Sequence, residues 1–285
     1  MSLARPDLTG STAFVTGTTR GIGKQLALSL ADCGCNIVST GKTTDDTVDE
    51  TPLEGTIEQT AREVRERGVQ AHAIELDVRD TSAVEAAVEE AIDHFGEVDI
   101  VINNASAIQL APVAELPADR FDLLTEVNVR GTHLVSRAFA DHLADVDDAW
   151  LLANAPPVTT DRAPGKAPYA WTKLGMSFLT LSLAEELADA DVGCNTFWPV
   201  TAIDTRATRY FGLGTEDDWR SPAVVADAVL ALLARDPAEC TGHSFYDEEL
   251  LAAADVTDLS AYNLTDGDPE PISARLFDPD FERPA

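Results

Sequence analysis

Residues 12–31 read Thr-Ala-Phe-Val-Thr-Gly-Thr-Thr-Arg-Gly-Ile-Gly-Lys-Gln-Leu-Ala-Leu-Ser-Leu-Ala, and this stretch decides the fold. Its first five residues are apolar or β-branched, which predicts a short buried strand. Gly17, Gly21 and Gly23 follow, and the run from Lys24 to Ala31 then predicts a helix. A strand, a glycine-rich turn and a helix in this order are the context of a dinucleotide-binding loop. Glycines let the backbone approach a pyrophosphate, and the helix N-terminus offers it free N–H groups.

Strands and helices alternate along the rest of the chain. Further candidate strands are 36–40, 71–76, 99–103, 149–153, 194–198 and 243–246. Helical stretches lie at 56–67, 82–95, 117–143, 168–189 and 221–235. Repeated strand–helix–strand units predict an α/β fold, a Rossmann-like doubly wound parallel sheet with helices on both faces. We expect a single domain over 1–285, with a core of about 9–247 and an irregular tail over 248–285.

Two helices have clear start signals. Ser82-Ala-Val-Glu85 forms a candidate capping box, in which each side chain would bond the other residue's backbone. Ser221-Pro222 would place proline at the first helical position.

The charge balance excludes two classes of partner. The chain has 50 acidic and 20 basic residues, for a formal net charge of -30. Nucleic acid and anionic membrane surfaces repel such a protein, so we expect neither as a partner. The acidic residues are spread along the chain and lysine is scarce, which is typical of halophilic proteins whose self-repulsion is screened by molar salt. An ordinary acidic protein is the alternative.

The apolar pattern and the cysteines indicate a cytoplasmic protein. No run of the sequence has the length of a membrane span, and the first residues lack the apolar segment of a signal peptide. Cys33, Cys35, Cys194 and Cys240 lack the paired spacing of a zinc site. We therefore expect buried free thiols and no metal.

Tyr169 and Lys173 are the strongest candidates for chemistry. Their spacing of four residues places both side chains on one face of a helix. A free phenol titrates at about pH 10, and an adjacent ammonium favours the phenolate, which suits Tyr169 for general acid–base work. Lysine occurs only four times in 285 residues. A lysine at this spacing therefore indicates that its ammonium is needed.

Five motifs in this order resemble the short-chain dehydrogenase/reductase family over nearly the whole chain. They are the Gly17–Gly23 turn, Asp77-Val78, Asn103-Asn104-Ala105-Ser106, Asn128 within Val-Asn-Val-Arg-Gly, and the pair of Tyr169 and Lys173. Ser106 departs from the glycine that the family has there. Gly41-Lys42-Thr43 and Trp198-Pro199-Val200-Thr201-Ala202-Ile203 are similar to the hydroxysteroid dehydrogenase-like subgroup of that family.

The resemblance implies an oxidoreductase that interconverts a small-molecule carbonyl and a secondary alcohol by hydride transfer. It implies that Tyr169 exchanges a proton with the substrate oxygen. Lys173 would lower the tyrosine pKa and bond the nicotinamide ribose, and Asn128 would hold a water of a proton relay. The cofactor contacts that it implies are Gly17, Thr19, Arg20, Gly21, Ile22, Gly23, Lys42, Asp77, Val78, Asn104, Ala105, Ser106, Pro199, Ile203 and Thr205.

One feature of the family is missing. Counting back from Tyr169, the family's active-site serine falls at Pro156, or at Ala155 in the pattern of the subgroup. Losing one such donor typically costs about 100- to 1000-fold in rate. The candidate replacements are Asn154, Thr159, Thr160 and Ser106. The alternative function is therefore a catalytically weak dinucleotide-binding or sensing protein.

The residues after the second strand bear on the choice of cofactor. An acidic residue there pairs with the ribose 2′-hydroxyl of NAD, and a basic one accommodates the 2′-phosphate of NADP. Here Gly41 takes the acidic position, Lys42 follows it, and Arg20 could also reach the phosphate. The sequence favours NADP(H), with NAD(H) as the alternative. The acidic loop from Asp45 to Glu54 would repel a phosphate unless salt screens it.

Residues 205–214 follow the sixth strand, where the family carries a substrate lid. The glycines and aromatic residues of this segment suit a mobile flap over an apolar substrate. Arg206 and Arg209 are one helical turn apart and would either bind an anionic group or pair with local carboxylates. The resemblance also implies a homodimer or homotetramer, in which the helices around 117–143 and 168–189 pair between subunits.

Overall fold

A parallel sheet accounts for the fold. The structure is a computed structural model that describes residues 3–50 and 53–283. Its strands are β1 (Thr12–Thr16), β2 (Asn36–Gly41), β3 (Ala71–Glu75), β4 (Ile100–Asn103), β5 (Trp150–Asn154), β6 (Gly193–Trp198), β7 (Ala202–Ile203), β8 (Trp219–Arg220) and β9 (Ser244–Tyr246). The main sheet has the order β3-β2-β1-β4-β5-β6-β9, with every pair parallel, and β7 pairs with β8. The prediction of a doubly wound parallel sheet is confirmed.

The winding of the chain reverses beside β1. On one side Val15 of β1 pairs with Ser39 of β2, and on the other it pairs with Ile102 of β4. The connection from β1 to β2 and the connection from β3 to β4 therefore lead to opposite sides of β1. At such a point a crevice forms outside the carboxyl ends of the strands. The glycine-rich turn that follows β1 lies at this crevice.

The helices are α1 (Gly21–Ala31), α2 (Ile57–Arg65), α3 (Thr81–Phe95), α4 (Ala118–Leu124), α5 (Gly131–Leu143), α6 (Ala167–Glu186), α7 (Arg206–Phe211), α8 (Ala223–Leu233) and α9 (Asp247–Ala253). The prediction of a helical stretch over 117–143 is confirmed at 118–143, and the π-helical turn Thr125–Arg130 at its centre joins α4 to α5. Such turns are frequent at functional sites, and this one carries Asn128.

Helices cover both faces of the sheet because successive residues of a strand point to opposite sides. Ala13 and Val15 pack in a core with α1 and α8. Phe14 packs in a second core with α3 and α5, where its ring centroid lies 5.0 Å from that of Phe139. The strand is buried on both sides, which explains its continuous apolar run.

The predicted start of α3 differs from the one in the structure, whereas that of α8 is close to it. The Oδ1 atom of Asp80 accepts hydrogen bonds from the backbone N–H groups of Ser82 and Ala83, so α3 begins at Thr81. The capping box predicted at Ser82 is therefore wrong, because a carboxylate two residues earlier is a stronger acceptor than a hydroxyl. Pro222 adopts helical dihedral angles immediately before α8, close to its predicted position.

The prediction of irregular structure from residue 248 is wrong for the start of the tail. α9 forms there, and the backbone N–H of Tyr246 donates to Glu249 Oε2 at 2.9 Å across its first turn. Leu250 and Leu251 are fully buried in the core shared with α1 and α8. The pattern was missed because a seven-residue helix is too short to show a clear periodicity.

The core also extends beyond residue 247, contrary to the predicted boundary. The backbone N–H groups of Ser273 and Ala274 donate to the carbonyl oxygen of Val200 at 3.1 and 3.0 Å. Phe277 is buried in one apolar cluster with Tyr169. Residues 273–277 therefore line the side of the sheet that carries the candidate catalytic pair.

Candidate active site

The glycine-rich turn between β1 and α1 is a tight cradle of bare backbone. Gly17 and Gly21 have φ angles of 75° and 58°, a region that residues with side chains rarely adopt. A Cβ added at Gly23 would lie 2.2 Å from the carbonyl oxygen of Gly17. The turn therefore requires glycine and leaves room for a ligand to contact the main chain.

The N-terminus of α1 is suited to an anion. Its cap residue, Arg20, makes no side-chain cap hydrogen bond, and the first turn of α1 has no acidic residue, in a chain that has 50 of them. The first N–H groups of a helix lack intrahelical partners and lie at the positive end of its dipole. The turn and the helix start together fit the pyrophosphate of a dinucleotide.

Asn104 and Ala105 join the end of β4 to the glycine-rich turn. Asn104 Nδ2 donates to the carbonyl oxygens of Thr16 and Gly17 at 2.9 and 3.3 Å. The backbone N–H groups of Asn104 and Ala105 both donate to Thr16 Oγ1, at 2.9 and 3.0 Å. The Thr16 hydroxyl, to which the sequence assigns no separate role, thus fixes the floor of the crevice.

Lys42, Asp77 and Arg79 meet at the carboxyl ends of β2 and β3. The Lys42 side chain is 61% exposed, and its Nζ lies 3.0 Å from Asp77 Oδ2. Burial raises the pKa of Asp77, but hydrogen bonds from Arg79 and Lys42 outweigh it, and the pKa falls far below its usual range. Val78 is buried, and a Cβ at Gly131 would lie 2.7 Å from its methyl group.

The Arg20 guanidinium contacts the loop between β2 and α2. It donates to the carbonyl oxygens of Leu53, Glu54 and Gly55 at 2.9, 3.0 and 3.4 Å. In this arrangement the Arg20 guanidinium holds the loop beside the glycine-rich turn. Its neighbour Thr19 is buried.

The segment after β6 reaches back to the glycine-rich turn. Pro199 and Ile203 are buried on this segment. Thr205 caps α7 by accepting a hydrogen bond from the backbone N–H of Thr208 at 3.0 Å. A Cβ at Gly21 would lie 3.2 Å from the Thr205 methyl group. The structure therefore brings this segment and the glycine-rich turn to the same crevice. Ile22, at the start of α1, is half-buried.

Arg206 and Arg209 pair with carboxylates, which is one of the two predicted alternatives. Arg206 Nη1 lies 2.6 Å from Glu54 Oε2. Arg209 contacts both oxygens of Asp204, at 2.6 and 3.0 Å, and Glu216 at 3.1 Å. Arg209 is thus engaged by two carboxylates, whereas Arg206 makes a single ion pair at the surface.

Tyr169 and Lys173 lie on α6 and are almost completely buried, at 4% and 2% exposure. Lys173 Nζ donates to the carbonyl oxygen of Asn154, at the end of β5, at 2.7 Å. Burial lowers the pKa of Lys173 to about 7. Burial also raises the pKa of Tyr169, because a buried phenolate loses its hydration. The net shift of the Tyr169 pKa is therefore upward, opposite to the predicted lowering, because burial is the dominant cause.

Asn128 lies fully buried in the π-helical turn. Its Oδ1 accepts from the backbone N–H of Ala107 at 2.8 Å and from Ser106 Oγ at 3.1 Å. Its Nδ2 donates to the carbonyl oxygen of Ala107 at 3.0 Å and to Thr172 Oγ1 at 2.9 Å. Four hydrogen bonds saturate a side-chain amide. The Asn128 side chain therefore joins the segment after β4 to α6, and it has no free donor or acceptor left for the predicted relay water.

The position of the missing serine offers no hydrogen-bond donor. Ala155 is fully buried, and its backbone N–H donates to the carbonyl oxygen of Phe197 at 3.0 Å. Pro156 has no N–H, and its carbonyl oxygen accepts a hydrogen bond from Ser177. The family's donor is therefore absent both from the side chains and from the backbone here.

The candidate replacement donors are engaged elsewhere or exposed. Asn154 Nδ2 donates to Asn104 Oδ1 at 3.1 Å, and Ser106 bonds Asn128. Thr159 Oγ1 donates to Asp161 Oδ2 at 2.9 Å. Thr160 is exposed.

Sequence reasoning missed the residues that enclose Lys173. Its Nζ lies 3.3 Å from Met176 Sδ and 5.3 Å from the ring centroid of Trp198. The spacing of three residues could have indicated Met176, since such residues are neighbours on a helix. Trp198 packs edge-on against Phe277 with ring centroids 5.3 Å apart, a contact between distant parts of the chain that no local pattern predicts.

Comparison with known proteins agrees with the fold. A family model for short chain dehydrogenases matches residues 11–212. Hydroxysteroid dehydrogenase-like protein 2 of Xenopus tropicalis is 39% identical over 265 residues, which cover 92% of this chain and 62% of that protein. The chain thus spans about three fifths of that relative's length. The chain belongs to the short-chain dehydrogenase family, whose members are oxidoreductases that bind NAD(P) and act on small molecules.

Two solved structures show the same architecture. A short-chain dehydrogenase from Mycobacterium thermoresistibile is 38% identical, with a TM-score of 0.85, covering 92% of this chain and 94% of that one. The alcohol dehydrogenase of the archaeon Thermococcus sibiricus, solved in complex with 5-hydroxy-NADP, is 27% identical, with a TM-score of 0.70, covering 83% and 95%.

Three further features concern membranes, metals and thiols. Over residues 3–50 and 53–283, no helix is long and apolar enough to cross a bilayer. The same residues contain no group of three or more His, Cys, Asp or Glu placed to hold a metal ion. The four cysteines are free and buried, which confirms the expectation of buried thiols.

Proposed function

We propose that the protein is an NADP(H)-dependent oxidoreductase that interconverts a carbonyl and a secondary alcohol, with Tyr169 as the acid and base. One observation carries the proposal. Lys173 is 2% exposed and lies on the same face of α6 as Tyr169, yet among the described residues it pairs with no carboxylate. Burying an unpaired ammonium is costly, and such strongly perturbed groups cluster at functional sites.

The glycine-rich turn, the start of α1 and the ends of β2, β3 and β4 would hold the dinucleotide. Gly17, Gly21 and Gly23 would let its pyrophosphate contact the backbone, and Asn104 would keep this cradle closed from below. Pro199, Ile203 and Thr205 would border the nicotinamide end. When bound, the cofactor would exchange hydride with the substrate carbon.

Tyr169 would supply the proton in the reducing direction. Burial keeps its hydroxyl protonated, so the phenol can donate its proton to the carbonyl oxygen as that oxygen becomes an alcohol. The phenolate left behind would be stabilised by the Lys173 ammonium on the same helix face. Asn128 would position both residues through its hydrogen bond to Thr172.

Lys42 supports a preference for NADP(H). Gly41 places no carboxylate at the end of β2, and a Cβ there would lie 3.1 Å from the Thr19 methyl group. The loop carboxylate nearest in sequence, Asp45, pairs with Arg62 at 2.8 Å, which reduces its repulsion of a phosphate. The archaeal neighbour that was solved with 5-hydroxy-NADP supports the same choice.

Exposed aromatic residues on α4 and α6 support a homodimer or homotetramer. Trp171 and Phe178 are 51% and 66% exposed, and Phe121 of α4 stacks on Trp171 with ring centroids 5.7 Å apart. Large apolar side chains grouped on a surface mark interaction sites. The free cysteines and the net charge of -30 support action in a reducing, salt-rich cytoplasm.

The second candidate function is a dinucleotide-binding or sensing protein with little turnover. The observation that favours it is the segment Ala155-Pro156, which offers no donor to a substrate oxygen. Without that donor, a loss of about 100- to 1000-fold in rate is expected.

The test is oxidation of NADPH, with NADH for comparison, against a panel of ketones and aldehydes in molar KCl. Tyr169→Phe should lower turnover by about 100-fold or more, since general acid catalysis contributes about that much. Tyr262→Phe is the matched control, because the Tyr262 hydroxyl donates to Asp227 Oδ2 of α8 at 2.7 Å and the residue has no part in the proposed site. Lys42→Ala should weaken NADPH binding by roughly tenfold and leave NADH unchanged.

The outcomes separate the two functions. Turnover that is lost in Tyr169→Phe and kept in Tyr262→Phe supports the enzyme, whereas equal turnover in both rejects Tyr169 as the acid. Tight NADPH binding without turnover in the parent and in Ala155→Ser favours the sensing protein.

A further inference from the structure

The charge of Lys173 is balanced by dipoles and an aromatic ring. Its ammonium donates to the Asn154 carbonyl oxygen at 2.7 Å and to Met176 Sδ at 3.3 Å, and it lies 5.3 Å from the centroid of the Trp198 ring. A cation within about 6 Å of an indole centroid is attracted by the ring, most strongly when both are shielded from water. Lys173 and Trp198 are 2% and 7% exposed, so this contact is of the strong kind.

The Trp198 ring is fixed by the C-terminal tail. Its indole N–H donates to the carbonyl oxygen of Ser273 at 3.2 Å. Its ring meets that of Phe277 edge-on, with an interplanar angle of 85°. The backbone N–H of Ser273 in turn donates to the carbonyl oxygen of Val200, two residues after the end of β6. The indole is thus held by a hydrogen bond to Ser273 and by packing against Phe277, and the Lys173 ammonium lies over its ring.

Over residues 3–50 and 53–283, no acidic side chain pairs with the Lys173 ammonium, whose contacts are the Asn154 carbonyl oxygen, Met176 Sδ and the Trp198 ring. Of the elements packed against this part of α6, β5 presents the Asn154 carbonyl, β6 presents Trp198, and the π-helical turn presents the Asn128 amide to Thr172. Tyr169 is the ionisable neighbour on the helix itself. Among the described residues, no charged side chain contributes to the shift in the Lys173 pKa, which burial causes.

We propose that Trp198 is a positioning residue, whose indole face holds the Lys173 ammonium charged and in place beside Tyr169. Residues 273–277 hold the indole in turn, so that the tail acts on the site through Trp198. An apolar residue that only filled space would need neither a bonded N–H nor a face directed at a cation. The expected effect of Trp198 on turnover rests on the proposed roles of Tyr169 and Lys173. Its effect on the pKa of Lys173 does not depend on those roles.

The scarcity of lysine allows a direct measurement. Lysine labelled with carbon-13 at Cε gives signals from only Lys24, Lys42, Lys166 and Lys173, and Lys173→Met assigns the relevant one. The Lys173 pKa is then read from the shift of this signal with pH in the intact protein. Trp198→Leu should lower this pKa by about one unit or more, and Trp198→Phe by less, because a phenyl ring keeps part of the attraction.

Fluorinated tryptophan tests the same contact without changing the shape of the side chain. Fluorine withdraws electrons from the ring face, so incorporation at all four tryptophans should lower the Lys173 pKa in steps as fluorine is added. Trp150→Phe is the matched control, because Trp150 is equally buried, at 3%, on the neighbouring strand. It should leave the Lys173 pKa unchanged.

Activity supplies a second measurement. If Trp198 acts through Lys173, kcat for ketone reduction should fall in Trp198→Leu with little change in KM, and recover in part in Trp198→Phe. A Lys173 pKa that stays within about 0.2 units in the Leu and fluorinated proteins overturns the proposal. The titration needs no turnover, so a failure of the proposed reaction is distinguished from a failure of this inference.

Discussion

Replacing Lys173 by methionine should make the stability of the protein less dependent on pH. Lys173 is 2% exposed, and burial lowers its pKa from 10.5 to about 7. Between these two values the folded protein binds fewer protons than the unfolded chain does. The free energy of unfolding of the parent therefore rises with pH across this window, and a variant without the titrating group lacks that rise.

The magnitude follows from the two pKa values. The full shift from 10.5 to about 7 corresponds to roughly 5 kcal/mol, at about 1.4 kcal/mol per unit. Over the accessible range from about pH 6.5 to about pH 9.5, the expected change is about 3 kcal/mol. Methionine has a similar volume, so the cavity contribution should stay small and independent of pH.

The assay is denaturant unfolding of the parent and Lys173→Met at several pH values in molar KCl. Because other groups titrate equally in both proteins, the difference in their free energies of unfolding reports Lys173. Lys42→Met is the matched control, since its side chain is 61% exposed and its difference should stay within about 1 kcal/mol. If the free energies of unfolding of the parent and of Lys173→Met differ by a constant amount across this pH range, the lowered pKa of the buried Lys173 is refuted.

Two further predictions concern the glycine-rich turn and the start of α9. Gly23→Ala should cost about 1–3 kcal/mol of stability and weaken NADPH binding, because its Cβ would lie 2.4 Å from Asn104 Nδ2. Gly267→Ala is the control in denaturation and cofactor titration, because the nearest atom to its added Cβ would lie 3.9 Å away. Equal effects of the two substitutions would contradict the tight packing inferred for the glycine-rich turn. Burial raises the pKa of Asp247 from 3.8 to about 7, so the folded protein binds the extra proton in this window and parental stability falls as pH rises. Asp247→Asn should therefore gain stability relative to the parent between about pH 5 and about pH 8, and denaturation curves whose difference does not change with pH would exclude this.

Features that depend on short stretches of chain could be predicted from the sequence. β1, the glycine-rich turn and α1 follow from an apolar run, three glycines and a helical run in succession, since each is fixed by local sterics and by burial on both faces. The alternation of strands and helices likewise determined a parallel sheet, and hence the edge at which the site lies. The i, i+4 spacing put Tyr169 and Lys173 on one face of α6 before any contact was known.

The environment of these residues depends on the three-dimensional fold. The pKa of Tyr169 rises because the surrounding elements exclude water, and this burial depends on residues far away in the chain. Arg20 contacts the loop carbonyls at 53–55 because the fold brings that loop over the turn. Phe277 reaches Trp198 only after the tail folds back across β6. Contacts of this kind leave no period in the sequence, because they join segments whose separation is set by the fold.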